Sequence, residues 1–318
     1  MTRTGPVVVA TEADDQTADL VITELNRRGV PVVRFNPADI GADLAVSARF
    51  GTCPDPMDGQ VRTPSRTADL TSVRALYWRR PTWPDFNRLE ADDARFATAQ
   101  VRHGLGGVLY ALPNCRYVNH PLRNAEAEHK PLQLAVAQHL GLTVPPTVVT
   151  NDLEQAREFM GAHREVVYKA LRWTPYRQGE VGLTTWTEPV TVDELDESIS
   201  VVPHLFQARV DKVADLRVVV VGTRVFAVRI DSDLLDWRRD YDALTYSVID
   251  LPDRLATALI ACLEHFRLAS GSFDLAIDRA GDIHWLELNP NGQWGWLEDE
   301  TELDLTSAFV DLLTQGAS

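Results

Sequence analysis

Cysteine is scarce in this chain of 318 residues: Cys53, Cys115 and Cys262 stand far apart and form no Cys-x-x-Cys pair. That excludes a disulfide framework and a zinc ribbon, and fits a reducing cytoplasm. Lysine is scarcer than composition requires. Only Lys130, Lys169 and Lys212 occur among 31 basic residues, all the others being arginine. In a chain that uses arginine almost everywhere, the remaining lysines mark places where a compact ammonium matters. Positive charge as a whole is in deficit, 31 basic against 46 acidic residues for a net charge of −15. A field of that sign disfavours non-specific binding to nucleic acid or anionic membranes, but allows a local basic pocket for phosphates. No apolar run approaches the ~20 residues of a membrane span. The stretch Met1–Val9 lacks a charged-then-apolar signal pattern. Missing as well are a Gly-x4-Gly-Lys-Ser/Thr loop, a Gly-x-Gly-x-x-Gly turn after the first strand, a Gly-x-Ser-x-Gly elbow and a His-Glu-x-x-His helix. The eight histidines do not cluster at metal-ligand spacing.

What is present suits a globular α/β protein. At 45% hydrophobic residues the chain can fill more than one core, and its length predicts two domains or three small ones. Val7–Ala10 reads as a buried strand, residues 14–28 as a helix closed by Gly29, and Val32–Phe35 as a second strand, a β-α-β order that implies a parallel sheet. Further strands are expected at 44–50 and 73–78, with a turn-rich loop over 52–71 between them. Helices are expected at 92–112 and 124–140, and strands at 117–119 and 147–150. The second half is richer in strands, at 166–171, 205–210, 216–221, 224–230, 272–278 and 283–289. Helices at 255–266 and 304–313 complete it.

Three constellations carry chemistry. Asp274 and Glu287 lie on two adjoining strands joined by a Gly-Asp turn, and Glu287 and Asn289, two apart, share a face. Two carboxylates and an amide oxygen converging there form an all-oxygen set suited to Mg2+. Lys169 ends a strand beneath the glycine-containing segment 172–184, where it can hold the α- and β-phosphates of ATP; Lys130 lies on the preceding helix. Arg217 sits inside the apolar strand Leu216–Val221, where an unpaired guanidinium would be costly. With Arg229 and Arg238 nearby, three arginines beside one acidic hairpin fit clamps on a transferring phosphoryl group.

Together these residues resemble the ATP-grasp superfamily of carboxylate ligases over about residues 117–300. The resemblance rests on Ser272–Asp278 followed by His284–Gly292, on the spaced lysines, on the hinge-like Phe206–Val210, and on Asp215–Gly222, which is similar to the ribosomal-protein-modifying glutamate ligases. Leu76–Pro81 with its Arg79-Arg80 pair, Asn119-His120-Pro121, Asn124, Lys130–Leu134 and Asn289–Trp294 look like the ATP-grasp ribosomal peptide maturases, the graspetide (microviridin-type) synthetases.

This resemblance implies an ATP-grasp fold, with an N-terminal parallel-sheet domain over 1–115, a central subdomain over 116–204 and a C-terminal subdomain over 205–318. ATP would lie between the last two. It implies that Lys130 and Lys169 bind ATP phosphates, that the backbone of Gln207, Ala208, Arg209 and Val210 binds adenine, and that Lys212 lies beside the adenine or ribose. Asp274, Glu287 and Asn289 would hold Mg2+, and the segment 172–184 would close as a lid. The implied partner is a ribosomal precursor peptide whose Asp/Glu side chains are activated as acyl-phosphates and joined to Ser/Thr hydroxyls or Lys amines. Residues 191–197 are expected to form a short helix, with Thr191 and Glu194 as its capping box. By position, Asp193, Glu194 and Glu197 would receive an arginine of the precursor's leader. A ligase adding free amino acids to a protein or small acid, and a non-catalytic nucleotide-binding regulator, stay open as alternatives. So does the choice between a monomer and a homodimer.

Overall fold

The computed structural model describes residues 5–51, 56–172, 176–178, 181–183 and 186–315, the two three-residue strands by their backbone alone. Its N-terminal part is a parallel sheet in the order Val32–Phe35, Val7–Ala10, Ala75–Trp78, Arg116–Val118. All four residues of the second and third strands are buried, as continuous apolar runs in a two-sided parallel sheet should be. Helices Gln16–Arg27 and Ala91–Tyr110 make the crossovers.

The stretch read as a loop over 52–71 instead holds two strands, Asp58–Arg62 and Thr67–Asp69, pairing with Ala45–Arg49 in a small antiparallel sheet. In Asp58–Arg62 only Val61 is buried, so hydrophobic alternation is nearly absent and backbone pairing carries the structure. Gly59 permits it, because a Cβ there would stand 2.1 Å from the Ser47 carbonyl oxygen.

The helix expected over 124–140 is two helices, Pro121–Ala127 and Lys130–His139. Pro131 has no amide hydrogen to donate to a preceding turn and its ring would clash with one, but it is well tolerated in a first turn, so the first helix ends before it and a new one starts at Lys130. The break places the Lys130 ammonium at a helix start, facing the C-terminal sheet. Helix Leu153–Ala162 has no counterpart in the sequence reading, although Asp152 caps it by accepting from the Glu154 and Gln155 amides. It backs a four-stranded antiparallel sheet in the order Glu188–Val190, Val166–Lys169, His204–Ala208, Thr147–Thr150. Between these elements, Tyr176–Gln178 and Val181–Leu183 pair as an antiparallel hairpin. The remainder of the expected lid lies outside the described residues.

The last sheet, of five antiparallel strands, runs in the order Thr245–Ile249, Arg224–Asp231, Lys212–Val221, Ser270–Asp278, Ile283–Asn289. Leu216, Val218 and Val220 pack on one face with Phe273, Leu275 and helix Asp253–Phe266, and Val136 and Ala137 of helix Lys130–His139 join this core. Val219 and Val221, on the other face, share a core with Val7, Val9 and Tyr77 of the N-terminal sheet and with Phe309 of helix Leu305–Thr314. The cores therefore run across residues 115 and 204, joining the N-terminal sheet and the helix Lys130–His139 to the last sheet. Among the described residues no helix is long and apolar enough to cross a membrane.

Candidate nucleotide and metal site

The strand Lys212–Val221 sets the site. In register, Arg217 stands opposite Asp274, and Asp274 opposite Glu287, so the three share one face. A register shift between Asp274 and Leu275 pairs Leu275 with Trp285, leaving Leu286 as the extra residue. This bulge turns both Trp285 and Leu288 into the core while Glu287 and Asn289 face the opposite way.

Asp274 is buried and accepts from Arg217 Nη1 at 2.7 Å. Arg217 Nη2 donates to the Gln293 carbonyl at 2.8 Å. Burial pushes the Asp274 carboxyl up, against the nearby guanidinium that holds it down. For Glu287 burial also acts upward, but Lys130 and Arg238 overcome it and keep the carboxyl well below the usual carboxylate range. Lys130 Nζ lies 2.8 Å from Glu287 Oε2, and Arg238 Nη1 lies 3.3 Å from Oε1. Arg238 is itself clamped in two places by Asp236, at 2.8 and 3.0 Å. The loop that carries it is fixed by Trp237, whose buried ring sits 5.5 Å from that of Trp296.

The Asn289 amide reaches both carboxylates, 3.1 Å from Asp274 Oδ2 and 3.2 Å from Glu287 Oε1. Three side chains thus converge on one point. A half-turn of the amide, which exchanges its oxygen and nitrogen, completes an all-oxygen donor set that fits a hard divalent cation. Among the described residues no group of three or more His, Cys, Asp and Glu side chains could hold a metal. Two carboxylates and an amide oxygen are hard donors of the kind that Mg2+ accepts.

This acidic hairpin forms one wall of a cleft of about 1260 Å³. Lys130, Lys169, Gln207, Ala208, Arg209, Val210, Lys212, Arg238, Asp274, Glu287 and Asn289, all selected from the sequence, line it. Lys169 donates to Gln207 Oε1 at 2.7 Å, and Gln207 in turn donates to Thr147 Oγ1 at 2.9 Å. Burial brings the Lys169 ammonium down to about 8, although Glu287 acts upward. The Ala208 and Arg209 amides donate to the carbonyls of Pro146 and Glu165, which leaves the Val210 amide without a partner among the described residues. Lys212 is tied to Asp215 and to the Leu235 carbonyl, so it braces the loop before Arg238. Arg229 is not brought to the others. It pairs with Leu216 across the sheet, on the face away from Arg217, and its guanidinium binds Asp231.

Residues 191–197 do not form the expected α-helix. They make the 3-10 turn Val192–Glu194 and the start of another, Glu197–Val201, separated by the buried Leu195. Asp193 and Glu197 therefore do not share a helical face. The capping box is present, with the Glu194 carboxylate accepting from the Thr191 amide at 2.7 Å. That occupies Glu194, while the Asp193 and Glu197 side chains have no partner among the described residues.

Several residues that frame the site come from the quoted motifs without having been given a role. Asn119, buried, donates to the Ser270 and Pro290 carbonyls and accepts from the Ala269 and Ser270 amides. Gln133 both donates to the Leu288 carbonyl and accepts from its amide. Arg79 of the N-terminal sheet, buried beside Asp15, donates to the Gly292 carbonyl at 3.2 Å and to Gln293 Oε1 at 2.7 Å. Gly292 is required there, since a Cβ would stand 2.6 Å from Arg217 Nη2. A single sequence locates these residues only through the motifs they belong to, because buried amides and arginines carry no periodic signal.

No protein-family model matches the chain, and no curated protein matches it significantly. Solved structures do. A RiPP-associated ATP-grasp ligase of Chryseobacterium gregarium, in complex with ADP and a leader and core peptide, is 25% identical over 97% of this chain and 96% of its own, with a TM-score of 0.88. The macrocyclase MdnC of Microcystis aeruginosa, bound to its precursor peptide MdnA, is 24% identical over 97% and 99%, at 0.88. Macrocyclase MdnB of the same organism is 26% identical over 98% and 100%, at 0.82. The chain has the ATP-grasp fold, and over its whole length it is similar to the ATP-grasp ligases of ribosomal peptide maturation, the family its motifs resemble.

Proposed function

We propose that this protein is an ATP-dependent ligase that closes macrocycles in a ribosomal precursor peptide. The observation that carries the reading is the convergence of Asp274, Glu287 and Asn289 beside Lys130, Lys169 and Arg238 in one cleft, within a fold shared end to end with ligases solved with ADP and precursor peptides.

In this reading Lys130 and Lys169 hold the phosphates of ATP, and the Val210 amide is the donor that an adenine edge would use. Asp274, Glu287 and Asn289 hold Mg2+, which supplies charge neutralisation on the phosphates. An Asp or Glu carboxylate oxygen of the peptide attacks the γ-phosphorus, giving an acyl-phosphate and ADP. A Ser/Thr hydroxyl or Lys amine of the same peptide then attacks the acyl carbon, and phosphate leaves with the oxygen that came from the carboxylate. Arg238, fixed by Asp236, is placed to stabilise charge on the transferred group. Arg217 acts on the same centre indirectly, by orienting Asp274. Arg229 is left with a structural role. The division at about residues 115 and 204 puts the nucleotide between the second and third segments. Asp193 and Glu197 receive the leader, with Glu194 shaping the turn between them. The reaction is assigned to the cytoplasm, on the ground of three separated cysteines.

The reading fixes four outcomes. With ATP, Mg2+ and a precursor encoded beside this gene, mass spectrometry should show the loss of one water per ring. Glu287→Gln and Asp274→Asn should abolish that loss while melting as cooperatively as the wild type; retained turnover in either would overturn the metal assignment. ATP affinity should be flat below about pH 8 and weaken above it. The free Lys169 loses its proton there, and phosphate must restore it before binding. The slope approaches about ten-fold per pH unit. Calorimetry should find it absent in Lys169→Ala, and an unchanged slope would remove Lys169 from the phosphate site. Finally, Asp193→Ala/Glu197→Ala should weaken precursor binding but not ATP binding, with a smaller loss at high salt. Unchanged precursor affinity at low salt would reject the leader assignment.

A further inference from the structure

The cleft has a second wall, built by the N-terminal domain, that the nucleotide reading does not use. Trp78, at the end of its strand, packs near Trp83 and edge-on to Tyr110, with centroids 6.3 and 6.1 Å apart. The Arg102 guanidinium lies over the Trp83 ring at 5.7 Å. All four residues line the same cleft as Lys169. The Arg102 charge is also close enough to Tyr110 to pull that phenol down, against the larger upward effect of burial.

Arg102 differs from every other described arginine of the cleft. Arg79 is paired with Asp15, Arg80 with Glu12, Arg172 with Glu128, Arg209 with Glu165, and Arg238 with Asp236 and Glu287. Lys130 and Lys212 have Glu287 and Asp215. Among the described residues, only Arg102 and Lys169 reach into this cleft as cations without a carboxylate in contact, in a protein with 46 acidic side chains to supply one. Lys169 belongs to the phosphate site. Arg102, on a different domain, marks a second anion position in the same cavity. Its aromatic support matters, because a guanidinium held over a ring face gains a cation–π contact without using up its N–H donors, which stay available to a planar acceptor.

We propose that Arg102, held over the Trp83 ring, is a specificity-determining residue that holds a side-chain carboxylate of the peptide substrate. The acid it holds is one that is not being phosphorylated, kept on the N-terminal wall while another is activated near Lys169. The occupant is an acidic peptide: a forked guanidinium suits a planar carboxylate, the wall that presents it is aromatic, and the cavity is continuous with the phosphate site. The proposal rests on the reading of the cleft as a peptide ligase.

The test uses two synthetic peptides, one of alternating Thr and Asp and one of alternating Thr and Asn, binding to the full-length protein saturated with ADP and Mg2+. The wild type should bind the Asp peptide about ten-fold more tightly than the Asn peptide. Arg102→Ala should lose most of that preference by weakening the Asp peptide alone. Arg102→Lys, which keeps the charge but not the fork, should fall between. Glu90→Gln, at the N-cap of the helix Ala91–Tyr110 that carries Arg102 but outside the cleft, should bind both peptides as the wild type does. ADP affinity should be unchanged throughout, which shows that each variant is folded. An Arg102→Ala protein that keeps the full preference, or a wild type with none, would overturn the proposal. The ligase reading fails separately, if the wild type binds ATP and the Asp peptide but removes no water from a precursor.

Discussion

The site depends on keeping one largely buried carboxylate, that of Glu287, ionised. Glu287 stands in a sheet whose far face is packed with Trp285, Leu288 and Phe273, surroundings that favour the neutral acid. Two cations reverse that preference, and they arrive from different places. Lys130 comes from the start of a helix, 157 residues earlier in the chain, and Arg238 from a loop pinned by Trp237. An isolated charge of this kind would cost several kcal/mol, so removing either cation is felt by the other groups that converge on Glu287. The arrangement fixes the geometry of the charged cluster on the cleft side of the sheet.

Support for that geometry comes from all parts of the fold. Arg217 orients Asp274 and holds the Gln293 carbonyl, while Arg79 of the N-terminal sheet holds the Gln293 side chain and Gly292. The loop after the last metal-site strand is therefore gripped from two sides by buried arginines. Asn119 and Gln133 hold the strands next to it through their backbone groups. The N-terminal sheet and the last sheet also share one hydrophobic core, so these polar contacts lie beside a packed apolar seam.

Much of this was legible in the sequence, and for identifiable reasons. The carboxylate pair was readable because it sits on two apolar strands joined by a short turn, but counting back from that turn sets Asp274 opposite Leu286, and only the bulge at Leu286 brings Glu287 across from it. The lysines stood out by their rarity. The N-terminal β-α-β order was carried by continuous apolar runs. Other features were hidden. The sheet at Asp58–Arg62 buries a single side chain, and helix Leu153–Ala162 is announced mainly by its cap. Residues 191–197 have a genuine capping box, but too few residues follow before Leu195 turns inward for a helix to propagate. The face of Arg229 could have been counted from the sheet register once Arg217 was placed on the cleft side. The alignment of the two strands through Gly222, however, had to be known first. Arg102 lies on an amphipathic helix, where an exposed arginine looks like any other until its aromatic neighbours and its missing carboxylate are seen.

The central claim is that ATP activates a carboxylate of the peptide rather than of a free amino acid or of nothing at all. Oxygen labelling tests it most directly. A precursor prepared with 18O in its Asp and Glu side-chain carboxyl groups is incubated with the enzyme, Mg2+ and unlabelled ATP, and the released phosphate is analysed by mass spectrometry. Activation through an acyl-phosphate predicts one 18O in one phosphate for each ring closed. Rings that form while all of the phosphate stays unlabelled would contradict the account.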